Sequence, residues 1–516
     1  MNKFSRFIRS IKKKLFGEEQ PPETIKPSKV EKSQEIPSPG TVKQQTIPSL
    51  SKQENKEAVR VTVDEPSTKT LRQPHFIQIG FDFGTSFSKC ICRDVMTNKA
   101  WVYIPEEYAG HELPFLIPSA FLFSNGYLRQ VPEQDIHYPE EGLYHLKQAL
   151  VLVALEKLED TLLEPYRVAC GHCDKVQLGH FIKLCAVYFL ANALGKVRTQ
   201  IKKRMSDFGE HPQDYMAVNL AIPVADAEKP AVNRLYVDIL IKAWSIADVI
   251  NRHQSISLQE LESLLQKNES VFSEPELREA CLIYPEVSAN VQGFVRSRVS
   301  SEGIYLFSDT GAWTVDQSTF IFIRKQDNTD LLTFLYGNIL PCGSSYIELK
   351  AAQHCGELDS QSLEKWRKRK ERGGTEIELL RAKDNLAKEL TKGTRTTLAW
   401  TKKKLYVPEQ LEDMRVIFGG GGDCKHPYRD SIIRQFSGDL FRGRRQPDVL
   451  GMPVPSDLDF GSMNRRWMSR LTVAYGVAFE KSELAQFIYP KDVSTPEPDQ
   501  IWRKIRQFEM VSQDQC

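Results

Sequence analysis

Five consecutive residues, Asp82-Phe83-Gly84-Thr85-Ser86, place a carboxylate, a glycine and two hydroxyls within the stretch GFDFGTSFSK, Gly80 to Lys89. That combination suits phosphate chemistry. A turn at Gly84 lets backbone N–H groups converge on an anion, because glycine has no Cβ to block the approach. Asp82 beside it can hold a hydrated Mg2+, a cation that keeps several waters and bridges to phosphate oxygens. A second acid–glycine–hydroxyl string comes far downstream: Asp309-Thr310-Gly311-Ala312, followed by Thr314 and Asp316. A third string, Gly419-Gly420-Gly421-Gly422 at the end of MRVIFGGGGD (414–423), allows close backbone approach to a flat or anionic ligand.

Each string stands where its neighbours predict the end of a strand. The apolar run Phe76–Ile79 and the β-prone Cys90–Cys92 predict strand, tight turn, strand. Residues 303–324 predict two strands joined at 309–312. Two such hairpins suggest a duplicated architecture with one hairpin from each half. Between them, 114–131 reads as two short strands around Ser124-Asn125-Gly126. Helical periodicity covers 142–165 and 178–205, a buried strand covers 216–224, and a helix covers about 228–249. A polar connection, 251–276, precedes ACLIYPEVSAN at 280–290. Residues 356–405 are charged and mostly helical, and 470–487 are helical. Arg367-Lys368-Arg369-Lys370 is interleaved with Glu364, Glu371, Glu376 and Glu378, which predicts a solvated helix face rather than a nucleic-acid patch.

One further motif bears chemistry. CGHC, Cys170 to Cys173, matches the redox string of thioredoxin-like oxidoreductases, yet it lies in a polar connection between helices rather than in a βαβ unit. A zinc site adding Cys90 and Cys92 lacks standard finger spacing.

Composition bounds the rest. With 516 residues the chain can build more than one core, and 41% hydrophobic and 26% charged residues are those of a globular protein. A net charge of +2 excludes a general polyanion binder, so no nucleic-acid partner is expected. Ten cysteines do not make a disulfide scaffold, and no secretory signal stands out, which predicts a reducing, cytoplasmic setting. The apolar run Phe181–Leu194 carries Lys183 and is too short for a membrane span.

Residues 1–17 place Phe4, Phe7, Ile8, Ile11 and Leu15 on one helical face, with Lys3, Arg6, Arg9, Lys12, Lys13 and Lys14 around it. Such a helix can lie on an anionic membrane, where each basic residue contributes about 1 kcal/mol. Residues 18–74, with eight prolines and no aromatic residue, predict a disordered tether.

The order D-x-G-T-S, D-x-G-x-x-T-x-D, apolar strand into GGGG, then a closing helix containing AYGVA resembles the actin/DnaK-chaperone/sugar-kinase ATPase superfamily. The fit is best to its DnaK-type branch, across roughly 76–487. The resemblance implies an α/β, two-lobed actin-like ATPase fold of duplicated ribonuclease-H-like domains. Its lobes would span 75–302 and 303–468, with a closing interlobe helix at 469–487 and a tail at 488–516. It implies ATP and Mg2+ as ligands. Asp82 would hold the metal through water, and Gly84, Thr85 and Ser86 would cup the β- and γ-phosphates. Lys89 would contact phosphate, and Lys147, in LYHLKQAL, would reach the γ-phosphate and the attacking water. Asp309, Gly311, Thr314 and Asp316 would form the second phosphate hairpin, with Asp309 orienting water or metal. Lys383, in LLRAKDNL, and Gly419, Gly420 and Gly421 would contact adenosine. Gly476 resembles the small residue of the last interlobe helix.

Three departures qualify the likeness. Trp313 replaces a glycine within the second hairpin. Tyr284 stands where chaperone ATPases carry glutamate before proline, leaving Glu286, after Pro285, as the catalytic candidate. Only residues 488–516 follow Phe487, so no β-sandwich peptide-binding domain is expected. The sequence therefore predicts a chaperone-like, slow Mg-dependent ATPase whose nucleotide state regulates a protein partner at a membrane surface. Its rivals are a membrane-attached actin-like filament protein and a nucleotide-binding pseudo-ATPase. A sugar kinase ranks last, for want of an acid placed as substrate base.

Overall fold

The computed structural model describes residues 72–222, 229–297, 300–324, 330–421, 427–438, 440–441, 446–480, 483–484 and 486–494. The described residues fall in one compact unit, which begins at Arg72. The basic segment 1–17 expected to be helical, nearly all of the expected tether and the end of the tail lie outside the described residues. The described fold begins slightly earlier than the sequence suggests. Arg72, expected in the tether, pairs with Asp207 at 2.6 Å and Asp214 at 2.5 Å.

The fold is mixed α/β, built on two sheets of matching order. In the first, β1 (Phe76–Asp82) pairs antiparallel with β2 (Phe87–Asp94), which pairs antiparallel with β3 (Lys99–Val102). An excursion follows. It holds the hairpin β4 (Phe121–Ser124) and β5 (Tyr127–Gln130), then α1 (Leu146–Ala154), α2 (Glu164–Ala169) and α3 (Lys175–Arg204). The chain returns in β6 (Tyr215–Ile222), parallel to β1. It then crosses through α4 (Pro230–Ile250) and α5 (Leu258–Lys267) to β7 (Cys281–Pro285), parallel to β6. After α6 (Glu286–Val295) the pattern repeats. Strands β8 (Gly303–Thr310), β9 (Val315–Arg324) and β10 (Asp330–Leu340) are antiparallel neighbours. Helices α7 (Ser345–Cys355), α8 (Ser360–Glu371) and α9 (Ile377–Lys404) lead to β11 (Arg415–Gly419), parallel to β8, and to β12 (Val449–Leu450), parallel to β11. The last helix is α10 (Met468–Val477). Each sheet is therefore built on a three-stranded antiparallel meander extended by two parallel strands, and the first also takes in Leu458–Asp459, parallel to β3.

Helices α6 and α10 are exchanged between the halves. Val287, Val291, Phe294 and Val295 of α6, which follows the first sheet, pack with Tyr305, Phe307, Phe320 and Phe334 of the second. Leu471, Ala474 and Tyr475 of α10, which follows the second sheet, pack with Ile91 and Ala100 of the first. The two helices cross closely, since a Cβ on Gly476 would stand 1.8 Å from the Ala289 carbonyl oxygen.

Several sequence expectations need correction. The helical stretch 142–165 is broken, because α1 ends at Ala154 and α2 begins at Glu164. The connection 251–276 contains α5, started by a capping box in which Ser257 and Glu260 bond each other's backbone N–H. The closing helix ends at Val477, and residues Gln486–Ile488 form a strand beside β10. The 30-residue α3 is long and apolar enough to cross a membrane by length and composition, but 89% of its apolar window is buried within the fold. Arg367 and Lys370 do not sit on a solvated face. Arg367 is buried between Glu364 and Glu371 and donates to the Asp135 carbonyl at 2.9 Å, while Lys370 pairs with the buried Glu348 at 2.5 Å.

Candidate functional site

The two hairpins present equivalent positions. Asp82, the last residue of β1, stands opposite Lys89 of β2 across the turn Phe83–Ser86. The Lys89 Nζ donates to Asp82 Oδ2 at 2.7 Å. In the second half, Asp309 of β8 stands opposite Asp316 of β9 across Gly311–Thr314. Seven residues separate the partners in both hairpins, so the two turns have the same length. Gly84 lies so close to the Phe87 carbonyl that a Cβ would be 2.0 Å from its oxygen. The Gln148 amide of α1 donates to Thr85 Oγ1 at 2.6 Å, docking α1 on the first turn beside Ser86.

Lys147, in the first turn of α1, donates to Glu286 Oε2 at 2.9 Å, and both side chains are largely buried. Glu286 opens α6 directly after Pro285, where a helix N-terminus favours a carboxylate. One turn further on, Asn290 donates to Asp309 Oδ2 at 2.7 Å and accepts a hydrogen bond from Thr472 Oγ1 of α10. The crossing helices thus carry a relay, Thr472–Asn290–Asp309, into the second hairpin.

The glycine string completes the cluster. Gly419 is in register with Asp309 on the neighbouring strand. Gly420 has φ +87°, and a Cβ there would be 2.2 Å from Asp309 Oδ1. A larger residue would meet both backbone strain and the carboxylate. Arg470 donates to the Gly421 carbonyl at 3.3 Å. Around the second turn, Gly311 N donates to Thr314 O at 2.9 Å, and Gly343 N donates to Trp313 O at 2.8 Å.

Electrostatics tie these groups together. Burial, reinforced by the charge of Glu286, pushes Asp309 up to about 7, against the hydrogen bond from Asn290. Burial and Glu286 hold Asp316 well above the usual carboxylate range, with Lys147 and Thr314 opposing. Asp316 Oδ1 is buried without a hydrogen-bond partner. For Lys147, burial works against its charge, but Glu286, Asp82 and Asp316 outweigh it and raise its pKa. Four carboxylates, Asp82, Glu286, Asp309 and Asp316, thus share one site with two lysines, Lys89 and Lys147.

No group of three or more His, Cys, Asp or Glu among the described residues forms a metal-ligand set. Asp82 is engaged by Lys89 and Asp309 by Asn290, so the two carboxylates suit a hydrated cation held through water better than direct ligation.

Not every sequence candidate joins the cluster. Lys383, half-buried on α9, makes no hydrogen bond or ion pair among the described residues. Gly422 lies outside them. Trp313 turns onto His145, their rings 4.5 Å apart, and so spans from the second hairpin to the residue preceding α1. Tyr284 is a core residue, packed edge-on against Phe487 at 5.4 Å. Cys170 and Cys173 are bonded to each other, whereas Cys90 and Cys92 are buried in β2, so the four do not form a zinc set. A solvent-open crevice of about 470 Å3, lined in part by Tyr103, Tyr108 and Tyr188, shares no lining residue with the cluster. Gln148, Asn290 and Thr472 carry no motif of their own. Asn290 alone had a local signal, lying one helical turn after Glu286 on the same face. No protein-family model matches the chain, and no curated protein matches it at a significant level.

Proposed function

We propose that the chain binds an adenine nucleotide with Mg2+ between its two hairpins, as a divergent, DnaK-like member of the two-lobed actin-type ATPases. The observation that carries this reading is the equivalence of Asp82/Lys89 and Asp309/Asp316. The two pairs have the same spacing and register in two sheets of matching order, and they approach one cluster across the exchanged helices α6 and α10.

Phosphoryl transfer to water needs little covalent help from the protein, and positioned charge and amide dipoles supply most of the stabilisation. Mg2+, when bound with the nucleotide, supplies Lewis-acid charge at the phosphate oxygens. The chain's own parts divide the remaining work. Gly84, Thr85, Ser86 and Gly311 offer backbone and hydroxyl donors. Lys89 and Lys147 exchange their carboxylate partners for phosphate oxygens. Asp309, with a pKa near the working pH, accepts a proton from the attacking water. Gly419 and Gly420 lie against Asp309, and with Gly421 they would border the nucleoside. Loss of the γ-phosphate removes the link between hairpins and lets the halves relax, which signals nucleotide state to a protein partner. The basic segment 1–17 holds this cytoplasmic assembly on an anionic membrane face.

A second reading, nucleotide binding without turnover, draws on the packing of Trp313 against His145 beside Lys147. Single-turnover hydrolysis of Mg-ATP by the full chain separates the two: phosphate release that vanishes in Asp309→Asn supports the ATPase, and bound but intact ATP supports the pseudo-ATPase. Sedimentation with anionic liposomes, with and without residues 1–17, tests the membrane role, and ATP-dependent pelleting without lipid would indicate a filament instead.

A further inference from the structure

The CGHC segment belongs to neither hairpin, and its surroundings have a character of their own. Cys170 caps the end of α2 and Cys173 directly precedes Asp174, the N-cap of α3. Cys170 and Cys173 are half-buried, packed against the edge of the first core, whereas among the free cysteines of the described residues only Cys355 is exposed. Two large apolar side chains flank the pair in solvent. Val168 is 56% exposed, and Val176, at 82%, is the most exposed large hydrophobic among the described residues.

Backbone geometry independent of the sulfurs fixes the loop. Cys170 N donates to Tyr166 O at 3.0 Å, Gly171 N to Val168 O at 3.0 Å and His172 N to Arg167 O at 2.8 Å, closing the end of α2. On the other side, Asp174 and Gln177 form a capping box at the start of α3. Gly171 and His172 take left-handed φ values of 73° and 56° and reverse the chain between these two anchors. Breaking the S–S bond removes none of these hydrogen bonds, so the two thiols remain neighbours after reduction and can re-form the bond. A half-buried pair held by backbone hydrogen bonds on both sides, between exposed valines, has the layout of an exchange site.

We propose that Cys170 and Cys173 form a thiol–disulfide exchange site that accepts two electrons from a dithiol of a protein docked through apolar side chains on Val168 and Val176. The partner's thiolate attacks Cys170 Sγ, forming a mixed disulfide, and the electron pair of the broken S–S bond leaves on Cys173 Sγ. Cys173, directly before the Asp174 N-cap of α3, is the leaving sulfur. The partner's second thiolate then attacks its own sulfur in the mixed disulfide and releases Cys170 as thiolate. Both released thiolates take protons from solvent. The partner dithiol is oxidised to a disulfide and this chain's disulfide is reduced to two thiols. The proposal does not depend on the nucleotide reading.

Two measurements on the full chain test it. In glutathione buffers of graded ratio, alkylation and peptide mass spectrometry should show the pair reaching the same oxidised fraction from reduced and from oxidised protein. Failure to re-form, or a final state that depends on the starting state, would overturn the proposal. Reduction by a dithiol peptide with apolar flanks is then compared with reduction by dithiothreitol. The Val168→Ser/Val176→Ser double variant should slow the peptide about five-fold and leave dithiothreitol unaffected, as expected from losing two apolar contacts that form only on docking. Equal peptide rates in both proteins would remove the docking surface.

Discussion

Asp309 and Asp316 face each other as a register pair at the end of the second hairpin, at the position where the first hairpin sets Lys89 against Asp82. One hairpin closes with an ion pair and the other with two carboxyls. That asymmetry makes the second hairpin the proton-sensitive half of the site.

A pH dependence follows. Asp309 is pushed up to about 7 in the folded chain, against about 3.9 when unfolded. Between these values the folded state keeps a proton that the unfolded state has released. Stability from this group is therefore fully present at low pH and falls as pH rises through the window from about 4 to about 7. Urea midpoints at pH 5 and pH 8 should differ in that sense, and Asp309→Asn should reduce the difference. An unchanged difference would show that Asp309 is not the group responsible.

The pair Lys147–Glu286 is buried, and removing one partner strands the other. Lys147→Met should cost about 3–5 kcal/mol, whereas Lys147→Met combined with Glu286→Met should cost less than Lys147→Met alone. A double-mutant cycle from denaturant melts reads this directly, and simple additivity would contradict it.

Gly420→Ala introduces both a strained φ and a Cβ where Asp309 Oδ1 now lies. It should cost about 1–3 kcal/mol and weaken nucleotide binding. Gly451→Ala is the control, because a Cβ there meets nothing within 4 Å and the residue has no positive φ. Thermal melts of both variants, with and without Mg-ATP, should show the loss only at Gly420.

Asn290→Ala should leave Asp309 without its amide donor and raise the carboxyl pKa further, because that hydrogen bond holds it down. The fall in stability with rising pH should then extend to higher pH than in the unaltered chain, as read from urea midpoints across the range. Thr472→Val, which removes the hydroxyl bound to Asn290, should move it the same way by less.

Much of this arrangement was legible from short-range signals. Glycine and hydroxyl residues after apolar strands marked both hairpins, and strand β11 running into Gly419 was plain from its apolar run. Asn125-Gly126 likewise marked the tight turn between β4 and β5, where both residues take positive φ. What stayed hidden depends on long-range packing. Asn290 meets Asp309 only because α6 crosses to the second sheet, and Thr472 meets Asn290 only because α10 crosses to the first. Arg367 looked solvated because its acids lie at helical spacing, yet the segment around Asp135 covers it. Helix α5 was missed although Ser257 and Glu260 spell a capping box, since the residues around it are polar enough to pass for a loop.

The central claim is that one nucleotide is held by both hairpins at once. Isothermal titration of the full chain with Mg-ATP, repeated for Asp82→Ala and Asp309→Ala, tests it most directly. One nucleotide should bind per chain, in a manner that needs Mg2+, with a loss of at least about ten-fold in affinity in each variant. Folded protein that gives no heat, or variants that bind as tightly as the unaltered chain, would contradict it.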